Sequence, residues 1–134
     1  MRPAALLPLA LTLLPPLVFA TPTFRGFADW TCQRSDEKYV TVSAAQLQDL
    51  AVQQWATADH TPQASWFFNW KEKEICPSNS DDTYAWLDVP QWQEDSQHGG
   101  GGGKMAVVYY KETDTYALCI VLAAVVGGYA GQCK

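Results

Sequence analysis

The sequence predicts an α+β domain: one N-terminal helix packed on a four- to five-stranded antiparallel sheet, tied by two disulfides. Three observations carry this. One early segment spaces its apolar residues helically, the segments after residue 60 alternate with period two, and four cysteines follow a leader-like opening.

Residues 1–20, MRPAALLPLALTLLPPLVFA, hold one early Arg and a Leu/Ala/Pro run ending on Val18-Phe19-Ala20. They read as a secretory signal peptide cut after Ala20, leaving residues 21–134 as a single small domain. The chain has 134 residues, 9 Lys+Arg, 14 Asp+Glu and a net charge of −5, which loss of Arg2 makes −6. Such acidity weighs against non-specific binding of a phosphate backbone, which needs clustered Lys and Arg. The longest apolar run after the leader, Ala117–Val126, is too short to span a bilayer, so no membrane association is expected.

The elements follow in order. Thr21–Phe27 is a lead-in, and Trp30-Thr31-Cys32 sets an aromatic two residues before the first cysteine. Val40 and Val42 flank Thr41 in a short extended stretch. Ser43 is the expected helix N-cap, with Gln46 three residues on completing a capping box. Leu47, Leu50, Ala51, Trp55 and Ala58 then make one apolar face, so a helix is expected from about Ala44 to Ala56. Ser65–Trp70 alternates as a strand, with Trp66, Phe68 and Trp70 on one side. The turn-rich CPSNSDD occupies residues 76–82. Thr83–Val89 alternates Tyr84, Trp86 and Asp88 with Ala85, Leu87 and Val89, and Pro90 ends it. Gln91–Lys104 is a long loop holding the glycine run Gly99–Gly103. Met105–Glu112 is a third strand and Thr113–Thr115 a turn. Tyr116–Val125 is a strand whose continuous apolar run predicts a central place, buried on both faces. Gly127-Gly128 interrupts it, and Tyr129–Cys133 is a short last strand.

Cys32, Cys76, Cys119 and Cys133 predict two disulfides in one of three pairings. None has the C-x-x-C spacing of a zinc or redox site, and no metal or cofactor is expected. Asn69 and Asn79 lack the glycosylation pattern. The glycine run is not a phosphate-binding P-loop, since Met105 stands where Ser or Thr would bind magnesium. It reads as a flexible connection. His98 beside it reads as a solvated loop residue, and His60 as a surface residue at the helix–sheet junction. Asp88 admits two readings: a general base with a raised pKa among aromatics, or a strand-end carboxylate facing water. Trp66, Trp70, Trp86 and Trp92 could stack bases or sugars. Trp66 and Trp86 read better as core, and Trp92, after Pro90, as an exposed contact. The candidate binding residues are Trp92, His98 and Tyr109.

The order of these features resembles the fungal guanyl-preferring secreted ribonucleases, across nearly all of the mature chain. The matching segments are Cys32, the helix, His60 followed eight residues later by Phe68, and Asp88-Val89-Pro90. They continue through Gly99–Gly103, Ala106-Val107-Val108-Tyr109, Tyr116–Val125 and Cys133. The resemblance implies a microbial ribonuclease-like fold with Cys32–Cys133 and Cys76–Cys119 bridges. The first would close a loop of about 100 residues and contribute roughly 4–5 kcal/mol in the chain-entropy model.

In that family a strand Glu takes the proton from the ribose 2′-OH and a late-strand His protonates the leaving 5′-oxygen. An Arg and a second His hold the phosphoryl group. His60 matches the second His, and Asp88 the Glu, one methylene shorter. The Arg position is Ala106. The acid His falls around Ala123, in Leu122–Ala124, and residues 105–134 contain no His or Arg. Each loss removes a factor of about 10²–10⁴ in rate, so the resemblance implies a pseudo-ribonuclease with no catalytic residues. The chain is also similar to the RNase-like proteins associated with haustoria, secreted effectors of plant-pathogenic fungi, through its leader, Trp30-Thr31-Cys32 and a Cys near the end. That implies a virulence effector that suppresses plant immunity through a host protein rather than RNA. The alternatives are an active or RNA-binding ribonuclease using His60 and Asp88, and a structural or antimicrobial protein without a host target.

Overall fold

The computed structural model describes residues 21–62, 76, 82–93, 102–126 and 129–134. The leader, the Ser65–Trp70 strand, most of the 76–82 turn segment, and His98 with Gly99–Gly101 lie outside the described residues.

A 12-residue helix, α1 (Ala44–Trp55), forms where the apolar spacing places it. Its start satisfies the free backbone donors twice over. Ser43 Oγ accepts from the Gln46 amide at 3.1 Å while Gln46 Oε1 accepts from the Ser43 amide at 3.0 Å. Asp29 adds a carboxylate that accepts from the Ala44 amide at 2.7 Å. Leu47, Ala51 and Trp55 form the buried stripe.

The strands are β1 (Thr23–Arg25), β2 (Trp30–Gln33), β3 (Tyr39–Val42), β4 (Thr61–Pro62), β5 (Thr83–Asp88), β6 (Lys104–Tyr110), β7 (Thr115–Leu122), β8 (Val125–Val126) and β9 (Tyr129–Ala130). Five of them make one sheet in the order β1-β7-β6-β5-β4. The pairs within β4, β5, β6 and β7 are antiparallel, but β1 runs parallel to β7. The sheet is therefore mixed, which corrects the expected all-antiparallel sheet. β6 occupies one edge of β7, so the lead-in strand takes the other, anchored where the Thr23 amide donates to the Asp114 carbonyl at 2.9 Å. A three-residue edge strand in that place blunts a sheet edge that could otherwise recruit another chain.

β2 and β3 form a separate hairpin, and the chain end joins it as a third extended segment. Thr31 and Lys134 exchange backbone hydrogen bonds of 3.1 and 2.7 Å beside the Cys32–Cys133 bridge. Both expected disulfides are present: Cys32–Cys133 across 101 residues and Cys76–Cys119 across 43. They suit an oxidising environment. Among the described residues no helix is long and apolar enough to cross a membrane.

The alternation read in Thr83–Val89 divides the molecule into two layers. Ala85, Leu87, Val89, Met105, Val107 and Leu118 pack with α1 on the inner face. Tyr84, Ala106, Val108, Ala117, Cys119 and Cys76 pack on the outer face. A bulge between Ala106 and Val107 leaves Cys119 without a register partner. Strict alternation would send Ile120 inward with Leu118. The bulge instead keeps Ile120 opposite Ala106, so Cys119 and Ile120 share the outer cluster.

Candidate functional site

The expected site residues fall on the sheet as follows. The register aligns Asp88, Lys104 and Leu122 as a row across the ends of β5, β6 and β7, on the outer face. Above it lies a second row, Trp86, Ala106 and Ile120. Ala106, the position where the resemblance requires an Arg, is fully buried between half-buried Trp86 and Ile120. Leu122 and Val125, which bracket the position of the expected acid His, are 42% and 43% exposed. Ala123 between them is half-buried.

Asp88 is an exposed carboxylate with two donors on one oxygen. Lys104 Nζ lies 2.8 Å from Oδ1 and Gln93 Nε2 donates to the same atom at 3.1 Å. The Lys104 ammonium, then the Gln93 amide, hold its carboxyl below the usual value of 3.8, outweighing a small opposing effect of burial. Of the two readings of Asp88, the solvated strand-end carboxylate is the one found. A carboxyl pushed down is a weak base, the reverse of what proton abstraction needs.

His60 does not join Asp88. Its ring stacks on Trp55, centroids 4.2 Å apart at 17°, and its Nε2 donates to the Trp55 carbonyl at 2.6 Å. Trp55 belongs to the inner cluster with the helix. His60 therefore sits at the inner layer while Asp88 is on the outer face, with the sheet between them.

Trp92 is a correction. It was expected as an exposed contact and is fully buried. Pro90 starts a 3-10 turn over Pro90–Trp92 that swings the indole under the sheet. Its Nε1 donates to the Val40 carbonyl at 2.9 Å, which satisfies the one polar atom the ring buries.

Tyr109 is half-buried in an aromatic group on the inner face, 4.8 Å from Tyr116 and 5.7 Å from Trp55 between centroids. Its hydroxyl donates to Asp114 at 2.7 Å. That bond, with some burial, pushes its pKa up to about 12. Tyr109 is thus tied to the turn before β7 through Asp114.

Sequence reasoning missed the Asp88–Lys104 pair and the exposure of Leu122 and Val125. The pair depends on a register set across the glycine-rich loop. Gly102 shows how that loop is held: it has φ +98°, and a β-carbon there would collide with the Ala123 carbonyl oxygen. Among the described residues no group of three or more His, Cys, Asp or Glu could hold a metal ion.

The chain matches no family model, and no curated protein or solved structure matches it.

Proposed function

We propose that the protein is a secreted virulence effector on a non-catalytic ribonuclease-like scaffold, binding a host protein through the outer end of its sheet. The observation that carries this is the exposure of Leu122 and Val125, on either side of the position where a ribonuclease of this kind would carry its acid His. Apolar side chains left in water beside a charged pair fit a protein contact better than phosphoryl transfer.

The rest of the row supports the same reading. Asp88 is ion-paired, Ala106 is buried and offers no cation, and His60 lies on the other side of the sheet. Among the described residues, a developing phosphorane would find no base, acid and cation converging on it. The net charge of −5 adds repulsion for RNA.

The test is one native gel with labelled guanosine-containing single-stranded RNA and the oxidised protein. Intact, unshifted RNA is expected. Fragments ending after guanosine would overturn the reading, and a shift without breakdown would make RNA the partner. In infected plants, deletion of the gene or a Leu122→Asp exchange is expected to reduce virulence. No change in either would remove the effector role.

A further inference from the structure

Tyr109 and Tyr116 face each other across the β6–β7 pair on the inner side of the sheet. They are direct register partners, and their ring centroids lie 4.8 Å apart at 44°. Directly opposite side chains on antiparallel strands are held within reach of each other. Both rings are half-buried, so a small oxidant can reach them. The Tyr109 hydroxyl donates to Asp114 Oδ1 at 2.7 Å. Two other tyrosines carry a cation over the ring instead. The Lys134 ammonium lies 4.2 Å from the Tyr39 centroid, and the Arg25 guanidinium 5.5 Å from that of Tyr110. Tyr84 is buried.

We infer that this pair is a site of oxidative modification, where a dityrosine cross-link forms between Tyr109 and Tyr116. The oxidant is hydrogen peroxide acting through a haem peroxidase. Each phenol gives up one electron and one proton and becomes a phenoxyl radical. One ortho carbon of each ring then joins the other in a new C–C bond. The hydrogen on each of those carbons moves to its own phenolic oxygen, which restores both aromatic rings. Peroxide takes up the two electrons and two protons and leaves as two waters, so the protein loses two hydrogen atoms. Electrostatics select the pair. An electron leaves a phenol most easily where its proton has an acceptor, and the Asp114 carboxylate is that acceptor for Tyr109. A cation over a ring opposes the positive charge that oxidation creates. That protects Tyr39, which at 41% exposure would be the first target if exposure alone decided. Once Tyr109 is a radical, the Tyr116 ring is already in place beside it. The inference does not depend on the Leu122 surface.

The experiment treats the disulfide-bonded protein with a haem peroxidase and limiting hydrogen peroxide at low protein concentration. The product is then reduced, digested with trypsin and read by mass spectrometry. A monomer lighter by two hydrogens is expected, with peptides 105–111 and 112–134 joined through Tyr109 and Tyr116. Tyr109→Phe and Tyr116→Phe keep the ring packing, and each is expected to abolish the link. Tyr39→Phe is expected to leave it unchanged. Asp114→Asn is expected to slow its formation about tenfold, the scale of one hydrogen bond to a charged group. Absence of the internal link, or oxidation and covalent dimers at Tyr39 in its place, would overturn the inference. So would a link running through Tyr110 or Tyr129, or a rate unchanged in Asp114→Asn.

Discussion

Gln54, in the last turn of α1, closes a two-bond ring on the backbone of Asp88. Its Nε2 donates to the Asp88 carbonyl at 2.6 Å and its Oε1 accepts from the Asp88 amide at 2.8 Å. The amide side chain thereby acts as a substitute strand at the end of β5, fixing the helix to the row that carries Asp88, Lys104 and Leu122. Gln54→Ala is expected to cost about 1–3 kcal/mol, because both backbone groups of Asp88 lose their partner. Denaturant unfolding checks it, and a midpoint equal to wild type would show that water replaces the amide at no cost.

Trp92 fills the space beneath the sheet and bonds Val40. Trp92→Ala is expected to lose about 3–5 kcal/mol, the usual range for an emptied aromatic site. Trp92→Phe keeps most of the volume and removes the bond to the Val40 carbonyl, so about 0.5–1.5 kcal/mol is expected. Thermal unfolding of the two variants separates volume from hydrogen bond. A Trp92→Phe midpoint equal to wild type would mean the bond to Val40 contributes nothing.

The Tyr109–Asp114 bond sets an alkaline limit. The folded pKa, about 12, lies above the ordinary 10.0. The stability this bond contributes is therefore complete below pH 10 and is lost as pH rises toward 12. Tyrosinate absorbance is expected to show Tyr109 and Tyr116 ionising late, with Tyr109 returned toward the ordinary value by Asp114→Asn. Asn tolerates the left-handed conformation of residue 114, where φ is 48°. A titration curve unchanged by that exchange would assign the late ionisation to another tyrosine.

Asp88 acts at the acid end with the opposite sign. Its folded pKa lies below 3.8, so the contribution of the Lys104 pair is present above that value and fades as pH falls through the lower folded one. Both side chains are well exposed, 37% for Lys104 and 54% for Asp88, so the effect is screened and stays under about 1 kcal/mol. Lys104→Gln is expected to flatten the acid limb of a stability-versus-pH curve slightly, and high salt to do the same. A loss of several kcal/mol would mean the pair is far less hydrated than its exposure implies.

What could be read from the sequence was local. Ser43 with Gln46 and the Leu47–Ala51–Trp55 spacing specify α1 within one stretch of chain, so its limits came out within a residue or two. The two faces of β5 were equally plain, since period-two alternation needs no partner. The fate of Trp92 was hidden because its environment comes from Val40, 52 residues away. The parallel seat of β1 was hidden for a like reason: three residues have no periodicity, and only the free edge of β7 gives them a direction. In the candidate site, Asp88 and Ala106 were legible as positions. The Lys104 pair that lowers the pKa of Asp88 and the sheet that separates it from His60 are products of register.

The pairing of β1 with β7, and of Cys32 with the penultimate residue, also governs when the molecule can fold. An emerging chain reaches α1 early, and a helix of local contacts can form at once. The first strand, however, has no neighbour until residues 115–117 exist, and the β2–β3 hairpin gains its third member only with Gln132–Lys134. Residues 115–117 and 132–134 must therefore be made before the two seams can close, so the helix can form well before the strands that precede it find their partners.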